Sequence, residues 1–179
     1  MSVFQNAIEK AFGAGKSEEA ILKTAGRALS QGMHYRLTAL VPASDGPARL
    51  RVALSGFDDI VSILQKLHVN FNPGLTFGYQ KVDALREVVE HGRGGIYQDP
   101  VLFAGVSLEN KPILKTMLKT ALRGFGIDKV LIVPLPLPNG TGVVGLSGGD
   151  IRIDLKPELE KFACCLGEIL GGGKTAPSP

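Results

Sequence analysis

The spacing of apolar residues along the chain predicts helices and strands in alternation, separated by turns rich in glycine and proline. The first predicted helix is short and buries Phe4, Ile8 and Ala11 on one side. Ser17 is a suitable N-cap for a second helix, which runs to about residue 30. The N-terminal part of the chain is therefore expected to consist of two amphipathic helices.

Short apolar or alternating runs predict the strands, at 35–41, 50–54, 96–98, 130–135 and 141–146. Turn residues after the first strand and at Asn139-Gly140 predict that the first two and the last two strands form antiparallel hairpins. Further helices are expected at 58–68, 82–90 and 112–122 and from Pro157 to about residue 170, whereas 69–80 is expected to be irregular. This order predicts an α+β fold with a central antiparallel sheet.

The last predicted helix carries an apolar seam suited to packing on another helix, formed by Leu155, Leu159, Phe162, Leu166 and Ile169. Together with the apolar side of the first helix, this seam predicts a symmetric dimer built as a bundle of terminal helices. The alternative is that the seam is covered entirely by the chain's own sheet.

The helix at 112–122 has a basic stripe formed by Lys111, Lys115, Lys119 and Arg123, without acidic partners inside it. The opposite side is expected to be buried and consists of Ile113, Leu114, Met117, Leu118, Ala121 and Leu122. The stripe is either a solvated face or a place where Lys115 or Lys119 approaches an anionic ligand or partner.

Composition narrows the class of protein without identifying it. The chain has 179 residues, of which 44% are hydrophobic and 21% charged, as expected for one globular domain. The net charge of +3 gives no strong case for nucleic acid, and no apolar run is long enough for a transmembrane helix. The only cysteines are the adjacent Cys164 and Cys165, so no disulfide framework is expected and the cytoplasm is the expected compartment.

Four segments of the sequence resemble a GAF domain, a family of sensory and ligand-binding domains. They are the helix and short strand at 84–99, the strand at 125–135 with its Val-Pro-Leu step, the returning strand at 142–147, and the closing helix at 155–170. The likeness covers 17–170, which leaves 1–16 as an N-terminal helix or extension and 171–179 as a flexible, Gly/Pro-rich tail or linker.

The resemblance implies terminal helices on one face of the sheet and short helices and loops that enclose a ligand cavity on the other. Residues in or near the segments that line such a cavity are Phe57, Phe77, Tyr97, Phe103, Lys115 and Ser147. The resemblance further implies a non-enzymatic, small-molecule sensor that signals to an output domain such as a histidine kinase. It names neither the ligand nor a cofactor.

Two other functions stay open at this stage. One is a small GAF-like enzyme, such as a free methionine sulfoxide reductase, but both cysteines lie in one helix and no other cysteine could resolve an oxidised thiol. The three histidines are dispersed, without the spacing of a metal site. The other alternative is a dimerisation module whose cavity is filled by its own side chains.

Overall fold

The structure is a computed structural model that describes residues 2–15, 17–103, 108 and 110–172. The helices are α1 (Val3–Gly13), α2 (Glu18–Met33), α3 (Val61–Lys66), α4 (Asp83–His91), α5 (Pro112–Gly124) and α6 (Lys156–Leu170). The strands are β1 (Arg36–Pro42), β2 (Arg49–Leu54), β3 (Thr76–Gly78), β4 (Gly95–Tyr97), β5 (Lys129–Leu137) and β6 (Gly140–Gly148). The predicted α+β fold is confirmed.

The strands form one six-stranded sheet in the order β3-β2-β1-β6-β5-β4. Neighbouring strands are antiparallel throughout, and the predicted hairpins, β1 with β2 and β5 with β6, both form. The pairing of β1 with β6 joins the two hairpins at the centre of the sheet. The sheet therefore has β3 and β4 as its opposite edges.

Each face of the sheet carries its own hydrophobic cluster. The first cluster joins the sheet to α1, α2 and α6, and the second joins it to α3, α4 and α5. Alternate residues of a strand project to opposite faces, so in β6 Val144 and Leu146 enter the first cluster while Val143 enters the second. Terminal helices on one face and short helices on the other are the arrangement expected from the sequence.

Local sequence signals set several helix ends. The Ser17 hydroxyl accepts a hydrogen bond from the Ala20 backbone N–H at 3.2 Å, which caps α2 as expected. Gly92 ends α4 in the left-handed conformation, at φ 66°. His34 ends α2 in the same left-handed conformation, at φ 58°, although this conformation favours glycine.

Several predicted boundaries were wrong. The expected helix at 58–68 is a 3-10 turn at Asp58–Ile60 followed by the short α3, and α2 extends three residues beyond residue 30. The segment 69–80, expected to be irregular, contains β3, whose Phe77 pairs with Leu50 of β2. A strand of three residues carries too little alternation to be recognised without its partner.

The prediction that Ile113 and Met117 are buried was also wrong. Their side chains are 76% and 51% exposed, whereas Leu118 and Leu122 of the same helix are buried in the second cluster. α5 thus contacts the domain through a narrower stripe than its amphipathic pattern suggests, because only the side centred on these leucines faces the core.

The apolar sides of the first and last helices are buried within the chain itself. Phe4 of α1 packs on Phe162 of α6 with ring centroids 5.7 Å apart, and Ile8, Leu159 and Leu166 are at most 3% exposed. α6 also lies so close to β5 that a Cβ at Gly167 would come within 2.1 Å of the Pro136 carbonyl oxygen. The seam is covered by the chain's own helices and sheet, which is the alternative to the dimer interface expected from the sequence.

Within the described part of the chain, one edge of the sheet is partly open. β4 pairs with β5 only from Val130 to Ile132. Beyond that point β5 continues to Leu137 and pairs with β6 on its other side. Pro134 and Pro136 lie in this open stretch, and proline has no backbone N–H to offer a further strand.

Candidate functional site

The six candidate residues spread across the whole second face of the sheet. Phe77 lies on β3 and Tyr97 on β4, the two opposite edges. Five strand spacings separate them, which is roughly 24 Å. Phe77 and Tyr97 therefore do not line one small pocket together. Phe77 stands apart at the β3 edge, and the other five candidates divide into a central aromatic group and a group near β4.

The central group is a row of aromatic rings. Phe71 lies between Phe57 and Phe103, with ring centroids 6.0 Å and 6.4 Å away. All three rings are at most 1% exposed. Phe103 lies on Gly145 of β6, where an added Cβ would come within 2.3 Å of the Phe103 ring. The middle of this face is thus filled by aromatic side chains, which agrees with ordinary core packing at Phe57 and Phe103.

The group near β4 includes a row of residues across four strands. Tyr97 pairs with Val130, Val130 with Ser147, and Ser147 with Arg36. Directly opposed residues in antiparallel strands project to the same face, so this Ser147 row shares the face of Val130, which belongs to the second cluster.

Ser147 is completely buried, and its Oγ has no hydrogen-bond partner among the described residues. Thr38, on the same face of neighbouring β1, is equally buried, but its hydroxyl donates to the Ser55 carbonyl at 2.8 Å. Buried hydroxyl groups are normally hydrogen-bonded because losing water without replacement costs free energy. Ser147 is therefore a buried hydroxyl on this face whose hydrogen-bonding capacity is unused among the described residues.

Lys115 lies at the rim of the same region. Its Nζ is 3.9 Å from Asp99 Oδ2, two residues after Tyr97, so this ion pair connects α5 to the end of β4. Burial raises the pKa of the Tyr97 hydroxyl, and the nearby Glu87 carboxylate raises it further. Tyr97 is therefore neutral at physiological pH and can both donate and accept a hydrogen bond.

Three residues that take part in the contacts on this face were not among the candidates predicted from the sequence. Phe71 lies in the segment expected to be irregular, Thr38 in a strand predicted correctly, and Asp99 just after another. An alternating strand pattern could have placed Thr38 on the second face. No local pattern indicates that Asp99 reaches Lys115, because that contact depends on how α5 packs.

The thiols lie away from this region. Both belong to α6, which packs on the first face of the sheet. Cys164 is exposed in a groove that also includes Glu90 of α4 and Glu160 of α6. Burial, followed by the charge of Glu168, raises the pKa of Cys165 and so lowers its thiolate fraction. Within the described residues, no group of three or more His, Cys, Asp or Glu side chains could hold a metal ion.

Comparison with solved structures identifies the architecture. The GAF domain of an Acinetobacter phosphoenolpyruvate-protein phosphotransferase superposes with a TM-score of 0.62, at 11% identity, over 96% of this chain and 95% of that one. The chain has the GAF fold. The A. aeolicus nlh2 GAF domain in an inactive state gives a TM-score of 0.56 at 14% identity, over 95% of this chain and 92% of that domain. The phycocyanobilin-bound GAF domain of a cyanobacterial phytochrome gives 0.55 at 10% identity, over 96% and 93%.

No protein-family model and no curated protein sequence matches the chain. The resemblance inferred from the four sequence segments is nevertheless confirmed at the level of the GAF fold. None of the described helices has the length and apolar character needed to cross a bilayer.

Proposed function

We propose that this GAF-fold chain is a non-enzymatic sensory domain that binds a small molecule beside the Ser147 row. The observation that carries the proposal is the buried Ser147 hydroxyl, which has no hydrogen-bond partner among the described residues and lies on the face that holds Tyr97. A ligand with a polar atom at this point would satisfy Ser147 and gain a hydrogen bond in a setting where water competes poorly.

The surrounding groups define the kind of ligand expected. Val130 and the aromatic row supply apolar contacts, while Ser147 and the neutral Tyr97 hydroxyl supply polar ones. Lys115 adds a positive charge at the rim. A mostly apolar molecule with one or two polar atoms and an anionic end fits this set. That a GAF domain can hold a small molecule is illustrated by the phycocyanobilin-bound phytochrome domain.

Native mass spectrometry under gentle and then denaturing conditions tests the proposal. We expect the purified chain to retain a small molecule whose mass is lost on denaturation, and Ser147→Val to abolish its retention. Thr120→Val, which alters an exposed hydroxyl of α5, serves as the control and should retain it. If the chain retains nothing, and a screen of small molecules also yields no binding that depends on Ser147, the proposal is wrong.

A dimerisation module with a filled cavity is the second candidate, favoured by the packing of Phe103 on Gly145. The two candidates make opposite predictions for Phe103→Ala. If Phe103 only fills the core, the variant simply loses stability. If Phe103 borders a ligand site, a bound molecule restores part of that stability through mass action.

The enzymatic alternative, a free methionine sulfoxide reductase, receives less support. The face that carries the Ser147 row has no cysteine among its described residues, since both thiols belong to α6. The raised pKa of Cys165 also disfavours the thiolate that such chemistry needs. We therefore keep the sensory proposal over the enzymatic one.

We further propose that the chain acts as a cytoplasmic homodimer that relays the signal to an output domain, such as a histidine kinase. Because Phe4 and Phe162 are buried within the chain, the apolar seam is not free to form the interface. We place the interface on the outer sides of the terminal helices. Phe12 of α1, 44% exposed, is the apolar residue best placed there. Sedimentation at micromolar concentration tests the oligomeric state.

A further inference from the structure

A groove of about 490 Å³ lies along α2, beside the start of β1 and the loop after β2. Arg36, at the start of β1, belongs both to the Ser147 row and to this groove, whereas Ser147, Tyr97 and Lys115 do not line the groove. Helical spacing brings Lys23, Arg27, Ser30 and His34 to one side of α2, and all four side chains are exposed. The volume lies within the range of small-molecule sites in proteins.

The groove combines positive charge with an apolar floor. Lys23, Arg27 and Arg36 carry positive charge, and Asp58 is the one carboxylate among the described lining residues. The floor includes Leu37 and Leu54, and Gly26 gives access to it. A Cβ at Gly26 would lie 3.1 Å from Leu54 Cδ2, so glycine at this position lets α2 lie close to the floor.

The charged side chains along α2 differ in whether they form ion pairs. Near its N-terminus, Arg51 pairs with Glu18 at 2.7 Å and Lys23 with Glu19 at 2.6 Å. Farther along the helix, Arg27 has no ion pair within the described part of the chain. Arg27 is thus a cation of the groove without an ion pair in the described part of the chain.

His34 is the second unusual feature of the groove. It occupies the left-handed cap position of α2, where glycine would be free of strain. His34 lines the groove together with Ser30 and Arg36. Non-glycine residues in this conformation are a reason to look for a role of the side chain.

We propose that this groove binds a small organic phosphate, with the phosphate at Arg27, Ser30 and His34 and the organic part on Leu37 and Leu54. Guanidinium, hydroxyl and imidazole groups together offer more donors than a carboxylate can use, whereas a phosphate has three free oxygens and a larger charge. The apolar floor gives no contact to inorganic phosphate, so the organic part contributes affinity.

Titration of the full chain, followed by NMR chemical shifts, tests the proposal with phenyl phosphate, inorganic phosphate and benzoate as probes. We expect saturable binding, tightest for phenyl phosphate. Arg27→Gln should weaken it about tenfold, because a charge-assisted hydrogen bond is lost. Arg123→Gln, an exposed arginine of α5, is the matched control and should leave the affinity unchanged. Ser147→Ala should also leave it unchanged, which separates this site from the sensory one.

His34→Gly provides a second, independent readout. Glycine relieves the left-handed backbone, so the variant should be more stable to heat and yet bind phenyl phosphate more weakly. A structural role alone would change stability without changing affinity. The proposal is overturned if no probe saturates, if Arg27→Gln binds as tightly as the unaltered chain, or if benzoate or inorganic phosphate matches phenyl phosphate.

Discussion

The ring of Phe103 lies directly on Gly145, leaving no room for a side chain at residue 145. A Cβ there would stand 2.3 Å from Phe103 Cζ. Phe103 cannot easily move aside, because it is fully buried and stacks on Phe71. This contact fixes the aromatic row to the centre of the sheet.

Gly145→Ala should therefore lower the free energy of unfolding by about 1–3 kcal/mol, as overpacking of a rigid core does. Chemical denaturation measures the change. Gly95→Ala is the strand-matched control, since an added Cβ there meets nothing within 4 Å. Combining Gly145→Ala with Phe103→Leu should recover part of the loss. If Gly145→Ala is neutral on its own, the described contact is not rigid.

Ser147 and Thr38 form a natural pair for comparison, because both hydroxyls are buried on one face, and within the described structure Thr38 has a hydrogen-bond partner whereas Ser147 has none. In the ligand-free chain, Ser147→Ala should leave stability unchanged or raise it by up to about 1 kcal/mol, because it removes a buried hydroxyl that makes no hydrogen bond. Thr38→Val should lower it by about 1–3 kcal/mol, because the Ser55 carbonyl loses its donor. Thermal unfolding of both variants checks this. Equal losses would show that Ser147 has a partner within the fold.

The two tyrosines with raised pKa values predict how stability changes in alkali. Burial is the main cause at both Tyr35 and Tyr97, so each binds its proton more tightly in the folded than in the unfolded chain. Above about pH 10 the unfolded chain loses these protons first, and stability falls as the pH rises toward the folded pKa values. Replacing Tyr97 with Phe should flatten this fall, whereas Tyr79→Phe serves as the comparison. A slope unaffected by Tyr97→Phe would contradict the assignment.

The adjacent cysteines should react at different rates. Cys164 is exposed, whereas Cys165 is partly buried and its raised pKa leaves less thiolate at pH 8. Iodoacetamide should therefore modify Cys164 first, as peptide mass spectrometry can show.

The double variant Cys164→Ser, Cys165→Ser should fold and keep any ligand response. A robust reductase activity that disappears in the double variant would instead favour the enzymatic alternative.

Substitutions at buried and at exposed residues of α1 should affect folding and dimer formation separately. Phe4→Glu with Ile8→Glu should unfold the chain, because both side chains are buried in the first cluster. Phe12→Glu should keep the fold, as circular dichroism can verify, and weaken the proposed homodimer in sedimentation. A dimer that withstands Phe12→Glu would place the interface elsewhere.

Sequence reasoning succeeded where the determining interactions are local. The cap at Ser17, the stop at Gly92 and the hairpin between β5 and β6 all follow from residues within a few positions of one another. β3 was missed because its three residues become a strand only through pairing with β2. The exposure of Ile113 could not be foreseen, since an amphipathic pattern does not give the width of the contact.

In the candidate site, too, local features could be predicted from the sequence and long-range ones could not. Placing Tyr97 and Ser147 on one face needed only strand alternation, and the structure adds that they share a cross-strand row. Whether the Ser147 hydroxyl finds a partner depends on every strand around it, so no sequence pattern reports it. The separation of Phe77 from Tyr97 likewise depends on strand order, which the hairpins alone left open.

The prolines in the open stretch of β5 limit how a strand of another chain can pair with this sheet. A strand from another chain would find the donors missing at Pro134 and Pro136, so the sheet is protected against templated growth at that edge. A main chain that approaches this stretch can donate to the Pro134 and Pro136 carbonyls but receives no hydrogen bond from their nitrogens, so a regular strand ladder stays incomplete there. Addition of a strand along this part of β5, and the aggregation that it would start, is therefore disfavoured.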